Sequence, residues 1–178
     1  MQLVILDRDG VINEDSDDYI KSPQEWHPVP GSIEAIAKLC QAGFTVAVAT
    51  NQSGVGRGYY SLATLDAMHA KMRGLVEKAG GQIACIRFCP HTPDENCECR
   101  KPKPGLVRQI EKALNCDAKG AWFVGDTAKD MQVAQSCGCQ PVLVKTGKGQ
   151  RTLGKGLNLD GIRVVNNLLE FADFLTQD

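Results

Sequence analysis

A chain of 178 residues with 43% apolar and 23% charged side chains has the composition of one globular domain with a core of ordinary size. A formal charge of −1 without any long basic run excludes the broad electrostatic footprint of a duplex nucleic-acid binder and favours a small-molecule substrate. No apolar run reaches transmembrane length, and the start lacks a basic segment leading into an apolar one, so the sequence predicts a cytoplasmic protein with no membrane partner.

The first predicted element is Leu3-Val4-Ile5-Leu6, a short, continuous, partly β-branched run that fits a strand buried on both faces of a parallel sheet. It delivers Asp7-Arg8-Asp9-Gly10-Val11 to a strand tip, where ligands of such sheets bind. Two carboxylates so close repel unless a cation or a shared proton relieves them, and hard Mg²⁺ takes a few oxygen ligands together with water and phosphate. Phosphate chemistry is the expectation. An Asp-rich turn that merely ends a strand accounts for the same residues, so other strand ends have to agree.

Ser32 to Ala42 sets Ile33, Ile36, Ala37 and Cys40 at helical spacing before Gly43, and Phe44 to Ala49 then reads as a strand ending at Thr50-Asn51-Gln52-Ser53-Gly54. Leu62, Leu65, Met68, Met72, Leu75 and Val76 mark a long helix closed by Gly80-Gly81, and Ile83 to Phe88 reads as a strand. A helix over about 105–114 and the strand Ala121-Trp122-Phe123-Val124 follow, the latter ending at Gly125-Asp126. A helix over about 128–136, the strand Pro141 to Lys145, a glycine-rich loop over 146–156, the strand Ile162 to Val165 and a last apolar helix complete the chain. This alternation predicts an α/β fold, a doubly wound parallel sheet with helices on both faces, as a single domain over 1–178. No repeat or linker interrupts it, and no heptad seam argues for an oligomer, so a monomer is expected.

Of the eight cysteines, Cys40, Cys85, Cys116 and Cys137 sit in apolar surroundings and read as small buried residues, and the Cys137-Gly138-Cys139 pair as packing. Cys89-Pro90-His91 and Cys97-Glu98-Cys99 differ: three thiolates and an imidazole in one short loop without apolar periodicity form a tetrahedral Zn²⁺ set. Four protein ligands leave no open position, so that zinc is expected to be structural. It directly precedes Arg100-Lys101 and would fix the loop that aims those cations.

Four strand or loop ends thus carry one kind of chemistry: Asp7 and Asp9, Thr50 and Asn51, Arg100 and Lys101, and Asp126. A phosphate monoester needs donors and positive charge around its oxygens and an in-line nucleophile, and this set supplies both. Either Lys101 or Lys103 has the reach to meet the phosphate.

Asp7-Arg8-Asp9-Gly10-Val11, Thr50-Asn51-Gln52-Ser53-Gly54, Arg100-Lys101-Pro102 and Gly125-Asp126-Thr127-Ala128-Lys129-Asp130 resemble, in order and placement, the four motifs of the haloacid dehalogenase-type phosphatases. The resemblance implies that Asp7 is a nucleophile forming an aspartyl-phosphate and Asp9 a general acid, then base. It implies Mg²⁺ held by Asp7, the main-chain carbonyl of Asp9 and Asp126, with Thr50 and Lys101 stabilising the phosphoryl group. It favours Lys101 over Lys103, since the phosphate lysine follows the arginine and precedes proline. Asp130 would be a partner of Lys101 or a helix cap.

The zinc loop and short inter-motif spans narrow the resemblance to a branch without a large cap domain, containing histidinol-phosphate phosphatases and heptose bisphosphate phosphatases. The stretches 50–58 and 142–149 resemble the heptose enzymes most, which implies a sugar bisphosphate substrate and a place in ADP-heptose and lipopolysaccharide core precursor synthesis. Asn51, Gln52, Ser53 and Arg100 are the expected substrate contacts, with Arg100 as a bidentate partner of a second anion, and Asp15, Asp18 and Tyr19 as further contacts. An acidic loop with Asp15, Asp17 and Asp18 also suits the cation of histidinol phosphate, the alternative substrate. A reading from another class is a non-catalytic, zinc-stabilised module for phosphorylated ends. The missing basic stripe and an anion, Asp7, aimed at the ligand speak against it.

Overall fold

The computed structural model describes residues 1–177. Six parallel strands, β1 (Gln2–Leu6), β2 (Phe44–Asn51), β3 (Ile83–Cys89), β4 (Trp122–Gly125), β5 (Gln140–Val144) and β6 (Arg163–Val165), lie in the order β3-β2-β1-β4-β5-β6. The connecting helices are α1 (Ser32–Gln41), α2 (Leu62–Lys78), α3 (Gly105–Leu114), α4 (Ala128–Ser136), α5 (Gly149–Gly154) and α6 (Leu168–Thr176).

The apolar strands are buried on both faces, as their continuous hydrophobicity requires. Val4 and Leu6 of β1 join Val46 and Val48 of β2 in a core covered by α1, α2 and α6, while Leu3 and Ile5 join Ala47 and Ala49 in a second core under α3 and α4. Period-two alternation therefore feeds two cores from one strand. The chain order reverses between β1 and β4, and this switch point opens the crevice in which α/β sheets bind ligands. Asp7 and Asp126 end the two strands that flank it.

No cap domain is inserted: the spans between β1 and α1 and between β2 and α2 are loops, with isolated bridges at Asp9, Asn13 and Pro28. Among the described residues no helix is long and apolar enough to cross a membrane.

Two local expectations need correction. The glycine-rich stretch expected as a loop contains the short helix α5, because its anchor is tertiary rather than periodic. The Thr152 hydroxyl donates to the Asp126 carbonyl at 2.7 Å, and a Cβ on Gly149 would lie 1.8 Å from the Val144 carbonyl oxygen. Cys40 and Cys116 are only half-buried, since they lie at helix ends where the chain turns out of the core.

Candidate active site

Asp7 extends β1 by one bond, its N–H donating to the Val124 carbonyl at 2.9 Å. Its Oδ1 accepts from the Arg8 main-chain N–H at 2.8 Å and lies 2.9 Å from Lys101 Nζ, which leaves Oδ2 for the cavity. Lys101 is 3% exposed and spends its other donors on Asp130 Oδ1 at 2.7 Å and the Ala49 carbonyl at 2.8 Å. Burial alone would depress this ammonium, but Asp130 and Asp7 outweigh it and hold the pKa well above the usual lysine value. Lys103, the other candidate, points away and bonds the Cys97 carbonyl.

Asn51 lines the cavity and also has a structural task. Its side chain bonds both the N–H and the carbonyl of Lys101, at 3.0 and 3.3 Å, and so ties the loop after the cysteines to the tip of β2. Asp130 is at once the partner of Lys101 and the end of a capping box: Oδ2 accepts from Asp126 N–H, Thr127 N–H and the Thr127 hydroxyl.

Carboxylate oxygens of Asp7, Asp126 and Asp130 all lie within 4.8 Å of one another. Burial, then Asp130, pushes Asp126 up to about 7, and burial and the same neighbour push Asp7 well above the carboxylate range. One lysine does not neutralise three buried carboxylates, and hard oxygen donors crowded at a strand tip fit Mg²⁺. Gly10 permits this closeness: at φ +85°, a Cβ there would sit 2.1 Å from Asp126 Oδ2.

Asp9 lines the cavity beside Asp7 and is gripped on both oxygens. Oδ1 accepts from Arg8 Nε and Nη2, at 3.2 and 2.7 Å, and from Asn13 Nδ2 at 2.9 Å, while Oδ2 accepts from Gln52 Nε2 at 2.9 Å. Burial would raise the Asp9 carboxyl, but Arg8 and these bonds hold it below the ordinary range. Gln52, expected to touch substrate, thus also seats Asp9, and the Tyr60 hydroxyl donates to Gln52 Oε1 at 2.6 Å. Thr50, expected at the phosphoryl group, is fully buried and outside the cavity lining; its hydroxyl accepts from Gln52 at 3.0 Å.

A cavity of about 690 Å³ opens above these groups. Its wall includes Ser53, Tyr19 and Arg100, and a buried Nη1 of Arg100 has no partner among the described residues. Asp15 and Asp17 line the rim but are already paired, Asp15 with Lys148 at 2.9 Å and Asp17 with both terminal nitrogens of Arg151 at 3.1 and 3.2 Å. Asp18 is corrected: it is exposed outside the lining, where its carbonyl accepts from Lys21. The sequence reading missed Lys129, Lys148, Arg151 and Lys155, which make the rim cationic, because α5 has no periodic signal and each lysine alone reads as a surface charge.

At the end of β3, Cys89 lies 3.5 Å, sulfur to sulfur, from Cys97, and Cys99 joins them within 4.8 Å, with no disulfide. Thiolates around a tetrahedral ion with bonds of ~2.3 Å stand about 3.8 Å apart, so the donor set fits zinc. Burial would raise the Cys97 thiol, yet the Arg100 N–H and the other thiols bring it down to about 7. His91 is not gathered with the three sulfurs. Its Nδ1 is held by Glu95 at 2.6 Å, and Glu95 also caps the turn at Pro93–Glu95.

A family model described as HAD-hydrolase-like matches residues 98–171. A D-glycero-beta-D-manno-heptose-1,7-bisphosphate 7-phosphatase of Pseudomonas aeruginosa is 60% identical over 175 residues, covering 98% of both chains. The enzyme of that name from Neisseria meningitidis serogroup A is 52% identical over 100% of this chain and 96% of its own. Among solved structures, the D,D-heptose 1,7-bisphosphate phosphatase of Bordetella bronchiseptica, complexed with magnesium and phosphate, is 49% identical, covers 98% of both chains and superposes with a TM-score of 0.95. A strand-tip carboxylate cluster, a buried lysine and relatedness over the whole length agree: the chain belongs to the heptose-1,7-bisphosphate 7-phosphatase family of haloacid dehalogenase-like phosphoric monoester hydrolases.

Proposed function

We propose that the chain hydrolyses the 7-phosphate of D-glycero-D-manno-heptose 1,7-bisphosphate with Mg²⁺, through an aspartyl-phosphate on Asp7, in ADP-heptose and lipopolysaccharide core precursor synthesis. It acts as a cytoplasmic monomer, one catalytic domain over its 178 residues. The observation that carries the reading is the buried Asp7–Lys101 pair at 2.9 Å, beside Asp126, on the floor of a cavity with a cationic rim. The printed names of relatives at 52–60% identity support the substrate.

Asp7, Asp126 and the Asp9 carbonyl would hold Mg²⁺, which when bound neutralises the crowded carboxylates and shields the approach of an anionic phosphate. Asp7 attacks phosphorus through Oδ2, while Arg8 N–H and Lys101 fix Oδ1. Lys101, its donors on Asp7, Asp130 and the Ala49 carbonyl, stabilises the phosphoryl group through its positive charge, and Thr50 acts from behind the wall through Gln52, which holds Asp9. Asp9 protonates the departing sugar oxygen and later takes a proton from the water that cleaves the aspartyl-phosphate. In the free site Asp9 is held as an anion, so substrate charge beside it has to raise its proton affinity. Arg100, with its open Nη1, and the lysines of the rim hold the second phosphate.

Cys89, Cys97 and Cys99, with His91 as fourth donor, would hold a structural Zn²⁺ that stiffens the loop leading into Arg100-Lys101. The Glu95 bond to Nδ1 leaves Nε2 as the ligating nitrogen. The histidinol reading is not favoured, because the relatives at 52–60% identity carry the name of heptose bisphosphate phosphatases.

Phosphate release with Mg²⁺, comparing kcat/KM for the heptose bisphosphate and for histidinol phosphate, tests the substrate. A strong preference for the bisphosphate is expected. Preference for histidinol phosphate, or turnover of neither, contradicts the reading.

A further inference from the structure

Beside Gln52 on the cavity wall, Asp9 is held by two side chains that do not reach the cavity, Arg8 and Asn13. Arg8 is fully buried, with its Nε and Nη2 fork on Asp9 Oδ1 and its remaining terminal nitrogen, Nη1, 3.3 Å from Nε2 of His69. A guanidinium has donors and no lone pair, so Nε2 is the acceptor and the imidazole is the neutral tautomer protonated on Nδ1. Burial and the Arg8 charge keep it so, pushing His69 down to about 3.

His69 lies on α2, 6% exposed, its ring 6.1 Å from that of Phe88 in β3. It is therefore held by an element other than the β1 tip that carries Arg8. Three nitrogens of a planar group, two directed at Asp9 and one at His69, define the orientation of the plane. Without an acceptor at Nη1 a buried charged donor is left unpaired, and the guanidinium has reason to rotate off Asp9 to satisfy it.

We propose that His69 is a positioning residue for Asp9: acting through Arg8, it keeps the carboxylate aimed at the oxygen of the departing group. The proposal rests on the general-acid reading of Asp9 given above. No contact between His69 and the cavity enters it, since His69 is absent from the lining.

Leaving-group chemistry separates positioning from packing. An alkoxide needs a proton to depart, whereas p-nitrophenolate leaves without one, and kcat/KM reports the phosphoryl transfer to Asp7. His69→Gln places an amide oxygen where Nε2 was, and His69→Asn, of the same polarity, stops short of it. With the Mg²⁺-loaded full chain, His69→Asn is expected to lower kcat/KM for the heptose bisphosphate by about ten- to a hundredfold. The same variant should change kcat/KM for p-nitrophenyl phosphate less than about twofold, and His69→Gln should recover most of the loss.

Equal losses on both substrates, no loss, a Gln variant as poor as Asn, or failure of both variants to fold would overturn the proposal. Asp9→Asn is the control for the reading beneath it and should lose far more on the bisphosphate than on the aryl ester. If it does not, the general-acid assignment of Asp9 fails. A selective loss in Asp9→Asn without one in His69→Asn refutes the His69 role alone.

Discussion

On the cavity floor Lys101 is 3% exposed and bonded to two carboxylates and a main-chain carbonyl, whereas at the rim Arg151 and Asp17 pair with side chains 55% and 69% exposed. The floor is buried and over-determined: each donor of Lys101 has a fixed acceptor, and removing the lysine strands the buried carboxylates around it, a disruption of about 3–5 kcal/mol. The rim pair contributes about 0–1 kcal/mol and exchanges freely with solvent or with a substrate anion. On the proposed function, chemistry common to all phosphomonoesters belongs to the floor, and the choice among them to a rim whose weak internal pairs yield to the substrate.

The largest break in this comparison comes from the floor. Asp7→Asn should abolish phosphate release by at least about 10⁴-fold in steady-state assays, because no other group can accept the phosphoryl. Its melting temperature should hold or rise, since burial and Asp130 work against the Asp7 carboxylate and Lys101 keeps Asp130 as a partner. Lys101→Met should cost on the order of 10³-fold in kcat and also destabilise the chain, whereas Lys103→Met should leave kcat within about twofold.

Between floor and rim lies the cysteine loop. Cys99→Ser, or a strong chelator, should lower the melting temperature and reduce kcat by about tenfold or more, because the segment after Cys99 delivers Lys101 to Asp7. Metal analysis should return about one zinc per chain for the unmodified protein and less for the variant. At the rim, Arg151→Ala should raise KM for the bisphosphate by about three- to tenfold with kcat little changed, an effect that shrinks with added salt.

The smallest effect is a pH dependence of stability. Asp126, at about 7 in the folded chain against an ordinary carboxylate when unfolded, binds its proton more tightly in the native state. Its contribution is therefore full at low pH and is lost as pH rises from about 4 to about 7; the raised Asp7 acts in the same direction and the lowered Asp9 in the opposite one. Mg²⁺ should offset the loss, so its increment in melting temperature, read by calorimetry, should be larger at pH 8 than at pH 5.

The floor was legible in the sequence because Asp7 and Asp126 each follow an apolar strand run, and strand ends of one parallel sheet share an edge. Lys101 joins them from the cysteine loop after β3, which Asn51 ties to the tip of β2. The sheet itself was readable from the same runs, whereas the split of Val4 and Ile5 between two cores emerges only in the fold. The rim was harder to read. Lys148 and Arg151 flank and belong to a short helix held by Thr152 and the close approach of Gly149 to Val144, contacts that no periodicity announces. Arg8 and His69 were hidden differently: a charge between two aspartates reads as exposed until the fold buries it, and a lone histidine at a helical core position looks like packing. Gln52 and Asn51 were placed at the right strand tip, yet their bonds to Asp9 and Lys101 depend on side-chain directions that strand placement alone leaves open.

The most direct test of the account is to trap the covalent intermediate. The wild-type chain with Mg²⁺ and the heptose bisphosphate is quenched in acid during turnover, reduced with borohydride and digested, and the peptides that hold Asp7, Asp9 and Asp126 are sequenced by mass spectrometry. Conversion of Asp7 alone to homoserine, dependent on substrate, is the predicted result. Reduction at Asp9 or Asp126, or turnover with no acyl-phosphate on Asp7, would contradict it.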